Sequence, residues 1–168
     1  VGNCVSGIGP SYARVALYDT AYIPLIDSGF ARATVADDSG RFGFDTLPEG
    51  VYRAIVELSD GSQSAAFATV TIGSGDQVYE KDLELVGAVA GSVNGPSDSG
   101  SVLVYLVGTG YYQIVPRRGA FRFDDVPTGI YALQVCVVSL DGGAIKPVII
   151  SPENRRSVEV TAGRECVA

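Results

Sequence analysis

The sequence predicts an all-β protein: two tandem seven-stranded antiparallel β-sandwich domains arranged as an elongated rod. Three observations carry this. One stretch occurs twice, GRFGFDTLPEGVYRAIVE at residues 40–57 and GAFRFDDVPTGIYALQVC at residues 119–136, with Gly, Phe-x-Phe-Asp, Pro, Gly, Tyr and Val at matching places. Apolar and polar residues alternate over short runs, and no segment keeps a helical period of 3.6 over ten residues. Gly is abundant at 21 residues, which suits short strands joined by tight turns. The two copies are offset by 79 positions (119 − 40), which divides the chain into a first unit, 1–86, and a second, 87–168. Each is near the lower size at which a core sustains itself.

The first unit opens with VGNCVSGIG, similar to VGAVAGSVNG at 86–95, where the second begins. Both lead into an alternating strand, ARVALYD from Ala13 and SVLVYLV from Ser101. In the first, Val15 and Leu17 face a core while Arg14 and Ala16 face outward. Residues 19–30 carry Pro24 and Gly29 and exceed their counterpart around 108–110, so they form an arm peculiar to the first unit. The strand ARATVAD follows, then the turn Asp37-Asp38-Ser39-Gly40 and the repeated stretch. There Phe42 and Phe44 share one face, Asp45 and Pro48 bracket a turn, and Gly50 lets the chain reverse. Beyond it Tyr52, Ala54 and Val56 point inward and Arg53 and Glu57 outward. A hairpin at 59–61 leads to SAAFATVTI and then to VYEKDLELV, read as one strand. The second unit repeats the order with GYYQIVP, GAFRFDDV, GIYALQVCVVSL, the turn DGG, AIKPVII and SVEVTA. Residues 92–101, rich in Gly, Pro and Ser, are a loop inside it. An apolar, strand-like stretch at 85–89 joins the units, so a stiff end-to-end pair is expected.

Composition excludes several classes. A net charge of -7 repels phosphate backbones, so neither nucleic acid nor an anionic membrane is an expected partner. No apolar run approaches the roughly 20 residues that span a bilayer as a helix. The chain has no His, which removes Ser-His-Asp and Cys-His catalysis and most zinc sites. Asp37-Asp38 and Asp124-Asp125 are the adjacent acids, and as strand neighbours they point apart, so their expected role is to accept backbone N–H groups in turns. Calcium at Asp37, Asp38 and Asp60 lacks a spaced ligand series. No enzyme and no cofactor is expected. The start at Val1 and the lack of Met read as a processed or excised product, with the signal segment absent from this chain.

The form D-x-x-G-x-F-x-F-x-x-L-P-x-G-x-Y resembles the carboxypeptidase regulatory-like domains. Asp37, Gly40, Phe42, Phe44, Leu47, Pro48, Gly50 and Tyr52 carry it in the first unit, and Gly119, Phe121, Phe123, Val126, Pro127, Gly129 and Tyr131 in the second. The resemblance implies a transthyretin-like sandwich and a non-catalytic module of an exported protein, with tandem units of bacterial surface proteins the nearest case. Two departures stand out. The first unit lacks the D-x-x-G-x-P hairpin ahead of its valine strand, and Arg117-Arg118 replace the turn Asp in the second. The related collagen-adhesin B-type domains carry a Lys–Asn crosslink, but Lys81 and Lys146 are the only lysines and neither lies on a first strand, so none is expected.

The candidate contact residues lie outside the repeat. Tyr22 sits in the arm, and one of Tyr111 and Tyr112 must face out on a regular strand; either could stack on a sugar or a protein, the plainer reading being half-buried strand residues. Arg117-Arg118 and Arg155-Arg156 are basic pairs, solvated or engaged in ion pairs between subunits. Among the cysteines, Cys136–Cys166 is the preferred disulfide, stapling the C-terminal tail to its own sandwich, with Cys4 inter-chain or free. A Cys4–Cys166 bond between successive chains and a fully reduced chain are the alternatives. The function expected is an extracellular or cell-surface structural module: a stalk, an adhesin segment or the subunit of a fibre assembled head to tail. Its partners would be copies of itself or neighbouring domains. The alternative is a glycan-binding accessory module of a secreted polysaccharide-degrading enzyme, marked by a planar row of exposed Tyr.

Overall fold

A computed structural model of the chain describes residues 3–25, 29, 31–73, 77–80, 82–95, 100–141, 144–149 and 155–168; for residues 3, 67–69, 77–80, 140–141 and 144–149 it describes the backbone alone. The described residues form sixteen strands. No helix among them is long and apolar enough to cross a membrane. The first unit contains β1 (Asn3–Ile8), β2 (Arg14–Asp19), β3 (Ala31–Val35), β4 (Arg41–Leu47), β5 (Gly50–Glu57), β6 (Gln63–Ile72), β7 (Gln77–Glu80) and β8 (Glu84–Leu85). The second contains β9 (Gly87–Ser92), β10 (Ser101–Leu106), β11 (Tyr112–Pro116), β12 (Ala120–Val126), β13 (Gly129–Asp141), β14 (Ala144–Ile149), β15 (Arg156–Val160) and β16 (Glu165–Val167).

Each unit is a three-stranded sheet facing a five-stranded one. The orders are β4-β1-β7 and β3-β2-β5-β6-β8 in the first unit. In the second they are β12-β9-β16 and β11-β10-β13-β14, with β15 also on β13. Alternation sets the core. Phe42, Phe44 and Leu47 of β4 pack against Val15 and Leu17 of β2 and against Tyr52 of β5. Phe121, Phe123 and Val126 meet Val104, Leu106 and Tyr131 in the same way. Burying each of these large side chains contributes about 1.5–3 kcal/mol.

The repeated stretch builds the same bend twice. Between Phe44 and Leu47, and again between Phe123 and Val126, the register against β1 and β9 slips in a bulge. The strained residues are Thr46 (φ 57°) and Asp125 (φ 55°), not Gly50. Gly50 instead makes room, since a Cβ there would sit 3.4 Å from the Tyr52 ring. The tyrosine closes the bend: Tyr52 Oη donates to the Pro48 carbonyl at 3.0 Å and Tyr131 Oη to the Pro127 carbonyl at 2.8 Å.

Three expectations change. Among the described residues each unit has eight strands, and in the first the stretch read as one strand at 78–86 divides. Its first part, β7, pairs with β1 and its second, β8, with β6, while Leu83 between them packs against the core. The sheets are also not purely antiparallel, since β7 and β16 run parallel to β1 and β9. The tail strand β16 therefore joins the three-stranded sheet rather than lying beside β13. The link between units is short, as expected: one residue, Val86, separates β8 from β9, and its carbonyl accepts from Gly163 N at 2.9 Å.

Candidate functional site

The polar and aromatic side chains that the sandwiches do not need for their own cores converge where the two units meet. Alternation on β2 and β5 sends Arg14, Ala16 and Tyr18, and Arg53, Ile55 and Glu57, to the outer face of the first five-stranded sheet. On an open sandwich that face would meet water. Here Ala16 is 1% exposed and Ile55 2%, because the second unit covers them. The contact sets the turn end of one unit on the sheet face of the other, in place of the end-to-end stack expected from sequence.

The covering element is the turn after β10. Thr109, fully buried, donates from Oγ1 to the Leu106 carbonyl at 2.7 Å and accepts from Tyr111 N at 3.1 Å, which holds the turn in one shape. Gly110 allows close approach, since a Cβ there would lie 2.6 Å from the Tyr18 hydroxyl oxygen. Tyr111 then enters the junction. Its hydroxyl lies 2.9 Å from Glu57 Oε1 and 2.8 Å from the Asp125 carbonyl oxygen, so one proton serves acceptors from both units. Glu57 is held in turn by Arg14 Nη1 at 3.1 Å. Burial, and then the neighbouring Glu57 carboxylate, push the Tyr111 phenol far above its ordinary range.

A second bridge runs beside the first. The Arg53 guanidinium stacks 4.6 Å from the centre of the Tyr131 ring, and its Nη2 donates to the Ile130 carbonyl at 3.4 Å. Burial lowers the Arg53 pKa and raises that of Tyr131. Thr128 hydrogen-bonds to Glu84 across the same boundary. Beside Arg53 lies a cleft of about 240 Å3 bordered by Thr20, Val51 and Arg53 on one side and Val107, Gly108 and Ala132 on the other.

The arm supplies the third contact. Asp19 turns it by accepting from Ala21 N through Oδ1 at 2.9 Å and from Tyr22 N through its carbonyl at 3.3 Å. Tyr22 stacks on Tyr18 with ring centres 5.1 Å apart and planes tilted by 44°. Ile23 reaches the outer face of the second five-stranded sheet and packs on Leu103, Tyr105 and Cys136. The remainder of the arm, 26–28 and 30, lies outside the described residues.

The three tyrosines singled out from sequence thus have different fates. Tyr22 and Tyr111 come together around Ala16, Tyr18 and Ile55. Tyr112 faces out at 42% exposure, as alternation requires. The planar aromatic row expected of a sugar-binding face is not formed by them, because Tyr111 is inside the junction and the Tyr18–Tyr22 pair is tilted.

The Cys136–Cys166 disulfide is not present, and none of the three cysteines is joined in a disulfide. Cys136 faces away from its own core, toward Leu103 and Tyr105, whereas Cys166 on β16 packs against the core inside the sandwich. The five-stranded sheet stands between them. Burial raises the Cys136 thiol pKa. Cys4 lies on β1, with Sγ 3.4 Å from Asp45 Oδ1. Asp37 and Asp60 serve turns: Asp37 Oδ1 accepts from Ser39 N and Arg41 N, and Asp60 Oδ1 from Ser62 N and Oγ. Among the described residues no group of His, Cys, Asp and Glu is placed to hold a metal ion.

Glu57, Arg53 and Thr109 were not singled out from sequence, and Asp125, read there as a turn acid, takes part through its backbone carbonyl. One signal was available: Ile55, an apolar residue in outward register between Arg53 and Glu57, marks a face that something must cover.

No protein-family model matches the chain, and no curated protein matches it closely in sequence. Among solved structures it is similar to a minor pilin of Streptococcus agalactiae, with 11% identity over 99% of this chain and 94% of that one and a TM-score of 0.38. A candidate carbohydrate-binding protein of Bacteroides uniformis shows 9% identity over 95% and 97%, with a TM-score of 0.38. A candidate carbohydrate-binding protein of Pseudomonas aeruginosa shows 20% identity over 48% and 88%, with a TM-score of 0.37. At these scores none of them assigns a ligand, partner or activity to this chain.

Proposed function

We propose that the chain is a non-catalytic structural module of an extracellular or cell-surface protein, built from two carboxypeptidase regulatory-like units held as one body. Its place is in a stalk, an adhesin segment or a fibre subunit, where it contacts copies of itself or neighbouring domains. The observation that carries this reading is the Tyr111 hydroxyl shared between Glu57 and Asp125. The side chains most suited to ligand contact are engaged in holding one unit to the other. A body of this kind transmits load between its ends without a hinge, which suits a spacer better than a clamp that closes on a substrate.

Negative-stain microscopy of untagged protein at high concentration tests the fibre role; filaments or regular head-to-tail chains support it, and dispersed single particles under oxidising as well as reducing conditions oppose it. Electrophoresis without reductant adds the covalent question, since a ladder abolished by Cys4→Ser or Cys166→Ser requires the inter-chain bond. Tyr112 keeps the glycan reading testable. Array binding lost in Tyr112→Ala would favour it, and absence of binding to any glycan retires it.

A further inference from the structure

The cleft beside Arg53, about 240 Å3, takes its walls from both units. Register sets its floor. Tyr18 of β2 pairs with Arg53 of β5, so both lie on the outer face of the first five-stranded sheet, and Thr20 and Val51 border the cleft beside them. The second unit supplies the roof. Val107 N donates to the Ala132 carbonyl at 2.9 Å, which sets these two residues side by side. Gly108 passes close to the start of the arm: a Cβ there would lie 3.7 Å from the Asp19 carbonyl oxygen. Val51, Val107 and Ala132 make the apolar part of the lining.

Arg53 is the charged group of this cleft, and its own chain does not neutralise it. A guanidinium offers several N–H donors in a planar fork. That of Arg53 lies against the Tyr131 ring and donates from Nη2 to the Ile130 carbonyl at 3.4 Å, and no carboxylate among the described residues is within ion-pair distance of it. Burial lowers its pKa, and the group that offsets this is Tyr131 rather than an acid. Arg14, on the same face of the sheet, has Glu57 at 3.1 Å. On a chain of net charge -7, a half-buried arginine without an acidic neighbour calls for an anion from outside. Two further donors border the cleft. Gly108 is buried and its N–H meets no acceptor among the described residues, and the Thr20 hydroxyl likewise has no partner among them.

We propose that the cleft between the units binds a small carboxylate, its head at the Arg53 guanidinium and its short carbon chain against Val51, Val107 and Ala132. The space is below the roughly 300 Å3 at which drug-sized sites begin, so the ligand is an acid of a few carbons or the acidic end of a larger molecule. A guanidinium recognises a carboxylate by parallel N–H···O bonds, which gives the head group a selectivity that an apolar wall cannot. Because the first unit supplies the guanidinium and the second the roof, a bound carboxylate also ties the units together. The site does not rest on the structural role proposed above: a spacer without a ligand, or a binder that forms no fibre, leaves the other reading intact.

Sodium butyrate and its uncharged counterpart 1-butanol, titrated into the whole chain at constant ionic strength and followed by amide chemical shifts, test it. The shifts of Thr20, Val51, Val107, Gly108 and Ala132 are expected to saturate together with butyrate, at an affinity about tenfold above that of butanol. Saturating butyrate should also raise the thermal midpoint, which sodium chloride at the same ionic strength should not. Arg53→Gln is expected to weaken butyrate by about tenfold. Since Arg53 also bridges the units, Val51→Phe supplies a second variant. It fills the cleft from a position that is 44% exposed and keeps Arg53 itself, so it should abolish the saturable shifts while the free protein keeps its midpoint. The proposal is overturned by the absence of a saturable shift, equal affinity for butanol, or a response that sodium chloride reproduces. Shifts centred elsewhere, or binding undiminished in either variant, overturn it as well.

Discussion

Tyr111 is the residue on which the two units most directly depend. Replacing it with Phe keeps the ring and removes the proton shared by Glu57 and Asp125. A buried hydrogen bond to a charged acceptor contributes about 1.5–3 kcal/mol, so Tyr111→Phe is expected to lower unfolding free energy by roughly that amount in urea. A loss under about 0.5 kcal/mol would mean that water replaces the bond at no cost. The buried phenols also set an alkaline limit. Burial holds Tyr52, Tyr105, Tyr111 and Tyr131 above their ordinary range. A raised pKa favours the protonated form in the fold, so this stability is fully present below the unfolded value of about 10 and is lost as pH rises beyond it. Stability measured in steps from neutral pH upward should stay level on this account to about pH 10 and then fall, less steeply in Tyr111→Phe. A flat profile through that range would contradict the burial of these groups.

At the scale of elements, the arm and the turn after β10 decide what the sheets can do with their outer faces. Ile23 and its neighbours make an outward residue, Cys136, 1% exposed. A thiol reagent should therefore modify Cys4 and Cys166, both partly exposed, well before Cys136. Ile23→Ala should bring Cys136 reactivity up severalfold without unfolding the sandwich. Three equal rates in the unaltered protein would show that the arm does not cover this face. Within each unit, much was legible in advance. Phe42 and Phe44 alternate with exposed residues as their spacing demands, and the turn roles of Asp37 and Asp60 follow from their place beside Ser and Gly. The division of 78–86 into β7 and β8 was not legible, because both halves have strand composition and only the two competing sheet edges separate them.

For the whole molecule, the junction makes cooperative unfolding the expectation. Arg53 against Tyr131, Tyr111 against Glu57 and Ile23 against Leu103 cross between units at separate places, so neither unit can open without losing all three. Urea unfolding should proceed in one transition. Arg53→Ala combined with Tyr111→Phe should separate it into two, the pair costing an amount different from the sum of the single changes if the bridges are coupled. Two transitions in the unaltered chain would show that the units are independent despite their contact.

The alternation of apolar residues and the repeated Phe-x-Phe-Asp stretch determined the β class and the two-unit plan. These are local properties, written in residue type and spacing. Which outward residues would be covered depends on contacts between positions far apart in the chain, such as Glu57 with Tyr111 and Ile23 with Cys136. Neither alternation nor turn chemistry carries that information. For the same reason the cysteines were assigned a bond that the five-stranded sheet prevents. Tertiary structure decided these points because it alone brings distant side chains within reach of one another.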